Sequence, residues 1–334
     1  MSKIFITGIA GFLGSHLADA MLADGHEVTG IDNLLGGYRD NVPKGATWFL
    51  TDCNNFEHVK RDMAGADIVY HTAATAYEGL SVFSPSVVNH HIMGAATTVF
   101  SAAIANKVKR IVHCSSMARY GSINTPYTED MTPRPQDPYG ISKLAAEHML
   151  KNLCETHGMD YVIAVPHNII GPRQKYDDPF RNVASIMINL MLQGKAPIIY
   201  GDGSQQRCFS YIDDCLYCLK EMAFSSMANG QTINIGPDEH PVTIQKLFRE
   251  IADIVGYKGR PIYMPGRPQE VKVALCSSNK ARRLLGYETK TPLRSGLVKM
   301  VDWIGSRGTR EFSYHLPLEI VNERTPKTWT QKLF

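Results

Sequence analysis

The sequence predicts a doubly wound α/β fold, a parallel sheet with helices on both faces, followed by a smaller C-terminal α/β lobe. Three observations carry this. Short β-branched runs alternate with helical stretches from Lys3 to Pro166. A glycine-rich turn joins the first run to the first helix. After Pro166 glycines and prolines thicken and the rhythm breaks.

Lys3–Thr7 is apolar and β-branched and reads as the first strand. Gly8–Gly14 reads as a turn and Ser15–Ala23 as a helix. Glu27–Asp32, Thr47–Leu50 and Asp67–His71 are the next three strands. A helical stretch runs from about Ser86 to Asn106, then a strand over Arg110–Ser115. Tyr139–His157 is a long helix and Tyr161–Val165 the strand behind it. Helical crossovers of this kind make neighbouring strands parallel. Beyond them, Gly171-Pro172, Gly201-Asp202-Gly203, Gly236-Pro237, Pro265-Gly266 and Pro268 punctuate shorter elements. These form a lobe over the carboxyl ends of the strands, where open α/β sheets bind ligands. The expected division is residues 1–166 with a return segment about 205–236, a lobe over 167–204 and 237–313, and a tail over 314–334.

The 334 residues are 44% hydrophobic and 20% charged, which excludes a disordered, collagenous or coiled-coil chain. A net charge of +3 offers no field for nucleic acid. No apolar run reaches the roughly 18 residues of a membrane span. The apolar start ends in a glycine loop, so no signal peptide is expected. Seven unevenly spaced cysteines read as reduced thiols of a cytoplasmic protein. Cys215 and Cys218 fall in a helix over Asp214–Met222, and nothing nearby completes a zinc set. Two core thiols, and no metal, are the expectation.

Gly8, Gly11 and Gly14, with Phe12 and Leu13 between them, follow a strand and open a helix. Glycines let the backbone approach a pyrophosphate, and the helix N-terminus behind them attracts it. Asp32 falls 18 residues after Gly14 at a strand end, where an acid binds the adenosine ribose. Its carboxylate repels a 2′-phosphate, and Asn33 follows in place of an arginine, so NAD is favoured over NADP. Asp52, beside Cys53, either reaches the adenine edge or is an ordinary strand-end acid. Tyr139 and Lys143, four apart, share a helix face. A nearby ammonium lowers a phenol's pKa from its usual value of about 10, which makes the tyrosine a usable base. Ser116, at the carboxyl end of a strand, is placed to bridge tyrosine and substrate.

Taken together, TGIAGFLG (7–14), HTAA (71–74), SSMARYG (115–121), YGISK (139–143), HNIIGPRQ (167–174), GDGSQQRCFSYIDD (201–214), NIGP (234–237) and RPQEV (267–271) resemble the extended short-chain dehydrogenase/reductase family. The likeness is to its NAD-dependent nucleotide-sugar epimerases and dehydratases, and spans about residues 3 to 305. The resemblance implies a Rossmann domain, a nucleotide-sugar lobe, and a homodimer through a four-helix interface built from Ser86–Asn106 and Tyr139–His157. It implies catalytic roles for Tyr139, Lys143 and Ser116, and a cofactor cleft lined by Ala73, Ala74 and Pro166. Asn168, Arg207 and Arg267 would meet the sugar diphosphate and Glu270 the nucleotide ribose. The sugar pocket would draw on segments around Thr75–Ser81, Asn168–Phe180 and Tyr200–Arg207.

Departures from the family pattern choose among reactions. The dehydratases carry an Asp-Glu pair after the serine or threonine; here stand Met117 and Ala118, which cannot transfer protons. The 3,5-epimerases' cysteine at the Ala118 place is also absent. What remains suffices for reversible oxidation at one carbinol, as in a 4-epimerase acting on a UDP-hexose, UDP-hexuronate or UDP-pentose. A keto-sugar oxidoreductase is the first alternative; a dehydratase and a non-catalytic NAD sensor follow. His91 replaces an expected asparagine, either in its hydrogen bonds or as a polar core residue, and Cys208 stands where an aspartate is usual. Trp329, Leu333 and Phe334 point to a tail docked on the body or on a partner subunit.

Overall fold

The computed structural model covers residues 1–334. Its centre is a seven-stranded sheet of β1 (Lys3–Thr7), β2 (Glu27–Asp32), β3 (Thr47–Leu50), β4 (Ile68–His71), β5 (Arg110–Cys114), β6 (Asp160–Pro166) and β7 (Thr232–Ile235). The order across the sheet is 7-6-5-4-1-2-3, and every neighbouring pair is parallel. The strand order reverses beside β1, and such a switch point opens a crevice.

The helices of the first half are α1 (Phe12–Ala23), α2 (Phe56–Asp62), α3 (Glu78–Ser81), α4 (Pro85–Asn89), α5 (Ala95–Ala105) and α6 (Pro138–His157). The long helix expected from Ser86 to Asn106 is interrupted by a π turn over His90–Gly94. α6 has strong end signals. Asp137 caps its start by accepting from Gly140 N at 2.7 Å, Pro138 opens the first turn, and Gly158 ends it with φ of 70°.

The second half adds α7 (Val183–Leu192), α8 (Ile212–Phe224), α9 (Ile244–Val255), α10 (Asn279–Leu285) and α11 (Leu293–Arg307). One sheet face packs on α1 and α8 through Ile6, Leu17, Leu219 and Ile233; the other packs on α5 and α6 through Phe5, Phe100, Ala146 and Ile163. Cys215 and Cys218 are buried in the first of these layers. So are Ala281 and Leu285 of α10, a sheet-side contribution from a stretch read as lobe. A third core, from Met187, Leu247 and Met300, holds α7, α9 and α11 together. Gln206–Arg207 pairs with Val242–Thr243 and Val273–Ala274 in a small sheet of this lobe, outside the central one.

The tail lies against the body. Trp329 packs with Tyr77, Leu80, Phe83 and Phe180. Glu319 carboxylate oxygens accept from Ser86 N at 2.9 Å and Val87 N at 3.0 Å, capping α4. All seven cysteines are free and buried. No helix is long and apolar enough to cross a membrane.

Candidate active site

A cleft of about 480 Å³ runs along the carboxyl ends of the central strands and under the second lobe. Every residue singled out from the sequence as catalytic, cofactor-binding or substrate-binding lines it, including Gly11, Phe12, Leu13, Cys53, Ala74 and Pro166.

At one end the wall is backbone. Gly8 has φ of +74°, and a Cβ there would lie 2.9 Å from Ala73 Cα. A Cβ on Gly14 would collide with the Gly8 carbonyl and sit 3.0 Å from Thr72 Oγ1. No side chain caps α1, which leaves its first-turn N–H groups for a ligand. A cradle that any Cβ would fill, closed by an uncapped helix, fits a dinucleotide pyrophosphate. Asp32 is held by Ala10 N at 2.9 Å and Leu34 N at 2.7 Å. Burial raises its pKa against those hydrogen bonds. Asn33 donates to Asp52 at 2.8 Å. Burial opposes the Asp52 charge, but hydrogen bonds from Asn54 and Asn33 hold its carboxyl below the usual range.

In the middle stand Ser116, Tyr139 and Lys143. Both Ser115 and Ser116 line the cleft, but the Ser115 hydroxyl donates to the buried Glu147 and it is the Ser116 hydroxyl that meets Tyr139. Ser116 Oγ accepts from Ala118 N at 3.2 Å. Lys143 Nζ donates to the Cys114 carbonyl at 2.7 Å and lies 6.0 Å from the centre of the Tyr139 ring. This corrects the expected phenol chemistry. Burial first, and then the charge of Glu78, push the Tyr139 pKa well up, outweighing the Ser116 hydroxyl beside it. Lys143 bears the cost of burial too, its pKa falling to about 8.

At the far end the wall is side chains from separate segments. Asn168, at φ of 44°, donates to the Cys208 carbonyl at 3.1 Å and faces Met117 Sδ at 3.6 Å. Arg207 spends its guanidinium on carbonyls of Gln206, Val271 and Lys272. Arg267 pairs with Glu270 at 2.8 Å and lies 4.6 Å over the Tyr200 ring. Cys208 is buried outside the lining, its thiol donating to the Glu239 carbonyl at 3.4 Å. His91 lines the cleft from the π turn, with Nδ1 unpartnered.

Sequence reasoning passed over three charged lining residues. Arg181 pairs with Asp178 at 3.3 Å and lies 4.8 Å over the Tyr77 ring. Asp137, the cap of α6, is pushed up to about 7 by burial. Glu78 stands on α3, a helix too short for periodicity to reveal. Phe334, from the tail, also reaches the lining.

The profile of the NAD dependent epimerase/dehydratase family matches residues 4–236. The chain is 31% identical over 323 residues to a UDP-glucose 4-epimerase of Mycolicibacterium smegmatis, across 91% of this chain and 99% of that one. The crystal structure of a Thermotoga maritima UDP-glucose 4-epimerase with UDP-glucose superposes with a TM-score of 0.85 at 29% identity, covering 91% of this chain and 99% of that one. A UDP-glucuronic acid 4-epimerase from Bacillus cereus, in complex with UDP-glucuronic acid and NAD, superposes with a TM-score of 0.85 at 28% identity, covering 92% of this chain and all of that one.

Proposed function

The chain belongs to the NAD-dependent epimerase/dehydratase family, and on that premise we propose that it is a UDP-sugar 4-epimerase with NAD as its cofactor. One observation carries the choice of reaction. Ser116, Tyr139 and Lys143 line one cleft with the glycine turn, Arg207 and Arg267, and the two residues after Ser116 are Met117 and Ala118, which cannot carry protons.

The glycine cradle and the start of α1 would hold the pyrophosphate, Asp32 the adenosine ribose and Lys143 the second ribose. Bound there, NAD supplies the electron-pair acceptor for oxidation at C4 and the donor for its reversal. The protein's own part is proton transfer and positioning. Tyr139 exchanges one proton with the sugar 4-hydroxyl, directly or through Ser116. Its phenolate needs a cation nearer than Lys143 now stands, and a swing of Lys143 from the Cys114 carbonyl toward the phenol provides it. Asn168, Arg207 and Arg267 grip the diphosphate while the 4-keto sugar turns over between them, and Glu270 meets the nucleotide ribose.

We further propose the two-lobed division described above, a cytoplasmic location, and a homodimer through α4–α5 and α6 of each protomer. Ile141, 53% exposed on α6, supports the last; a monomeric sedimentation coefficient at micromolar concentration removes it.

Tyr139→Phe tests the mechanism. With UDP-glucose followed by proton NMR in deuterated water, turnover falls roughly 10²–10⁴-fold. The wild type inverts C4 with no deuterium uptake at C5. Full turnover in the variant, or exchange at C5 in the wild type, defeats the proposal.

A further inference from the structure

Five acidic side chains line the cleft: Asp32, Asp52, Glu78, Asp137 and Glu270. Four are engaged. Asp32 and Asp137 accept from backbone N–H groups, Asp52 from Asn33 and Asn54, and Glu270 from Arg267. The Glu78 carboxylate accepts only from its own backbone N–H and has no ion-pair partner; burial raises its pKa, although Arg181, Arg207 and Arg267 stand near enough to favour its charge. Arg181 is taken by Asp178, Arg267 by Glu270, and Arg207 by three carbonyls.

The backbone that presents Glu78 is pinned on both sides. Tyr77 is fully buried and donates to Asp178 at 2.6 Å. A Cβ on Gly79 would touch Arg267 Nη1 at 3.3 Å and Trp329 at 3.4 Å. Ser81 Oγ donates to the Glu78 carbonyl at 2.6 Å. The side chain stays accessible from the cleft while protein encloses it elsewhere. Its charge is felt at Tyr139, Asp137 and Lys143, which places it on the reacting-sugar side of the cleft.

We propose that Glu78 is a specificity-determining residue, which accepts hydrogen bonds from hydroxyls of an uncharged sugar and turns away sugars that carry a carboxylate. A carboxylate without an ion-pair partner beside the sugar meets a second carboxylate as a like charge in a site where water screens poorly. Of the three arginines near Glu78, Arg181 is paired with Asp178, and Arg207 and Arg267 are the ones assigned above to the diphosphate. The inference rests on the nucleotide-sugar reading above and narrows it to UDP-hexoses and UDP-pentoses over UDP-hexuronates.

Calorimetric titration of the NAD-loaded wild type and Glu78→Gln with UDP, UDP-glucose and UDP-glucuronate tests this. The wild type is expected to bind UDP-glucuronate at least about tenfold more weakly than UDP-glucose. Glu78→Gln, which keeps an accepting oxygen, brings the two within about threefold and leaves UDP unchanged. Equal or tighter wild-type binding of UDP-glucuronate overturns the inference, as does an unchanged ratio in the variant. Failure of the wild type to bind UDP itself defeats the nucleotide-sugar reading and this inference with it. The expected contrast without turnover of either sugar leaves Glu78 in its role and removes only the epimerase.

Discussion

The dinucleotide end of the cleft is walled by Gly8, Gly14 and Ala73, whose main chains come so close that a single Cβ would jam them. The end proposed for the sugar is walled by Glu78, Asn168, Arg181, Arg207, Tyr200 and Arg267, side chains that distant stretches of the chain bring together. On the proposed reading, the first wall meets what every dinucleotide shares, through N–H groups and close approach. On the same reading the second meets charge and hydroxyl pattern, through groups that substitution can trade without disturbing the sheet. Changes at the two ends should therefore dissociate.

Gly8→Ala is expected to have the largest effect. It combines a Cβ at positive φ with an approach of 2.9 Å to Ala73 Cα, costing about 2–4 kcal/mol of stability. NAD affinity measured by calorimetry should fall at least about 100-fold while UDP affinity stays within about threefold. Equal losses of both would erase the distinction. Arg267→Ala should show the converse. It removes a charged donor from the sugar end, weakening UDP about 30-fold and leaving NAD unchanged.

Asp137→Asn is the smallest and sharpens the comparison through pH. Burial raises the Asp137 carboxyl to about 7, against about 3.9 in an unfolded chain. Between those values the folded protein holds a proton that the unfolded chain has released. Wild-type stability therefore declines as pH rises through that window and has lost its full share above the folded value. Asparagine keeps the helix cap and removes the titration. Thermal melts should show the wild type losing about 2 kcal/mol relative to the variant between about pH 5.5 and 7. Parallel curves would show that Asp137 is ionised throughout. Glu78→Gln probes the same end by its charge alone.

Much of the fold was legible. β1, β2 and β3 lie at the residues read for them, because β-branched runs bounded by glycine and acidic residues leave little choice of period. α2 escaped notice since seven residues give two turns and few buried positions. The π turn at His90–Gly94 escaped too, since its sequence carries no mark of the extra residue. At the site, the glycine loop, Asp32, Ser116, Tyr139 and Lys143 were all visible, being local and ordered along the chain. The pocket segment Thr75–Ser81 was named, yet Glu78 within it was not. An acid on a four-residue helix looks like any surface charge until the fold sets it in the cleft lining.

The amino-acid order alone determined the parallel sheet, the dinucleotide turn and the tyrosine–lysine pair, because each is a short-range pattern of period, spacing and backbone freedom. Only the tertiary structure decided the ionisation of that pair and the company of Glu78. Burial and neighbouring charge belong to distant segments meeting at one place, and here they raise the phenol's pKa where sequence spacing implied the reverse.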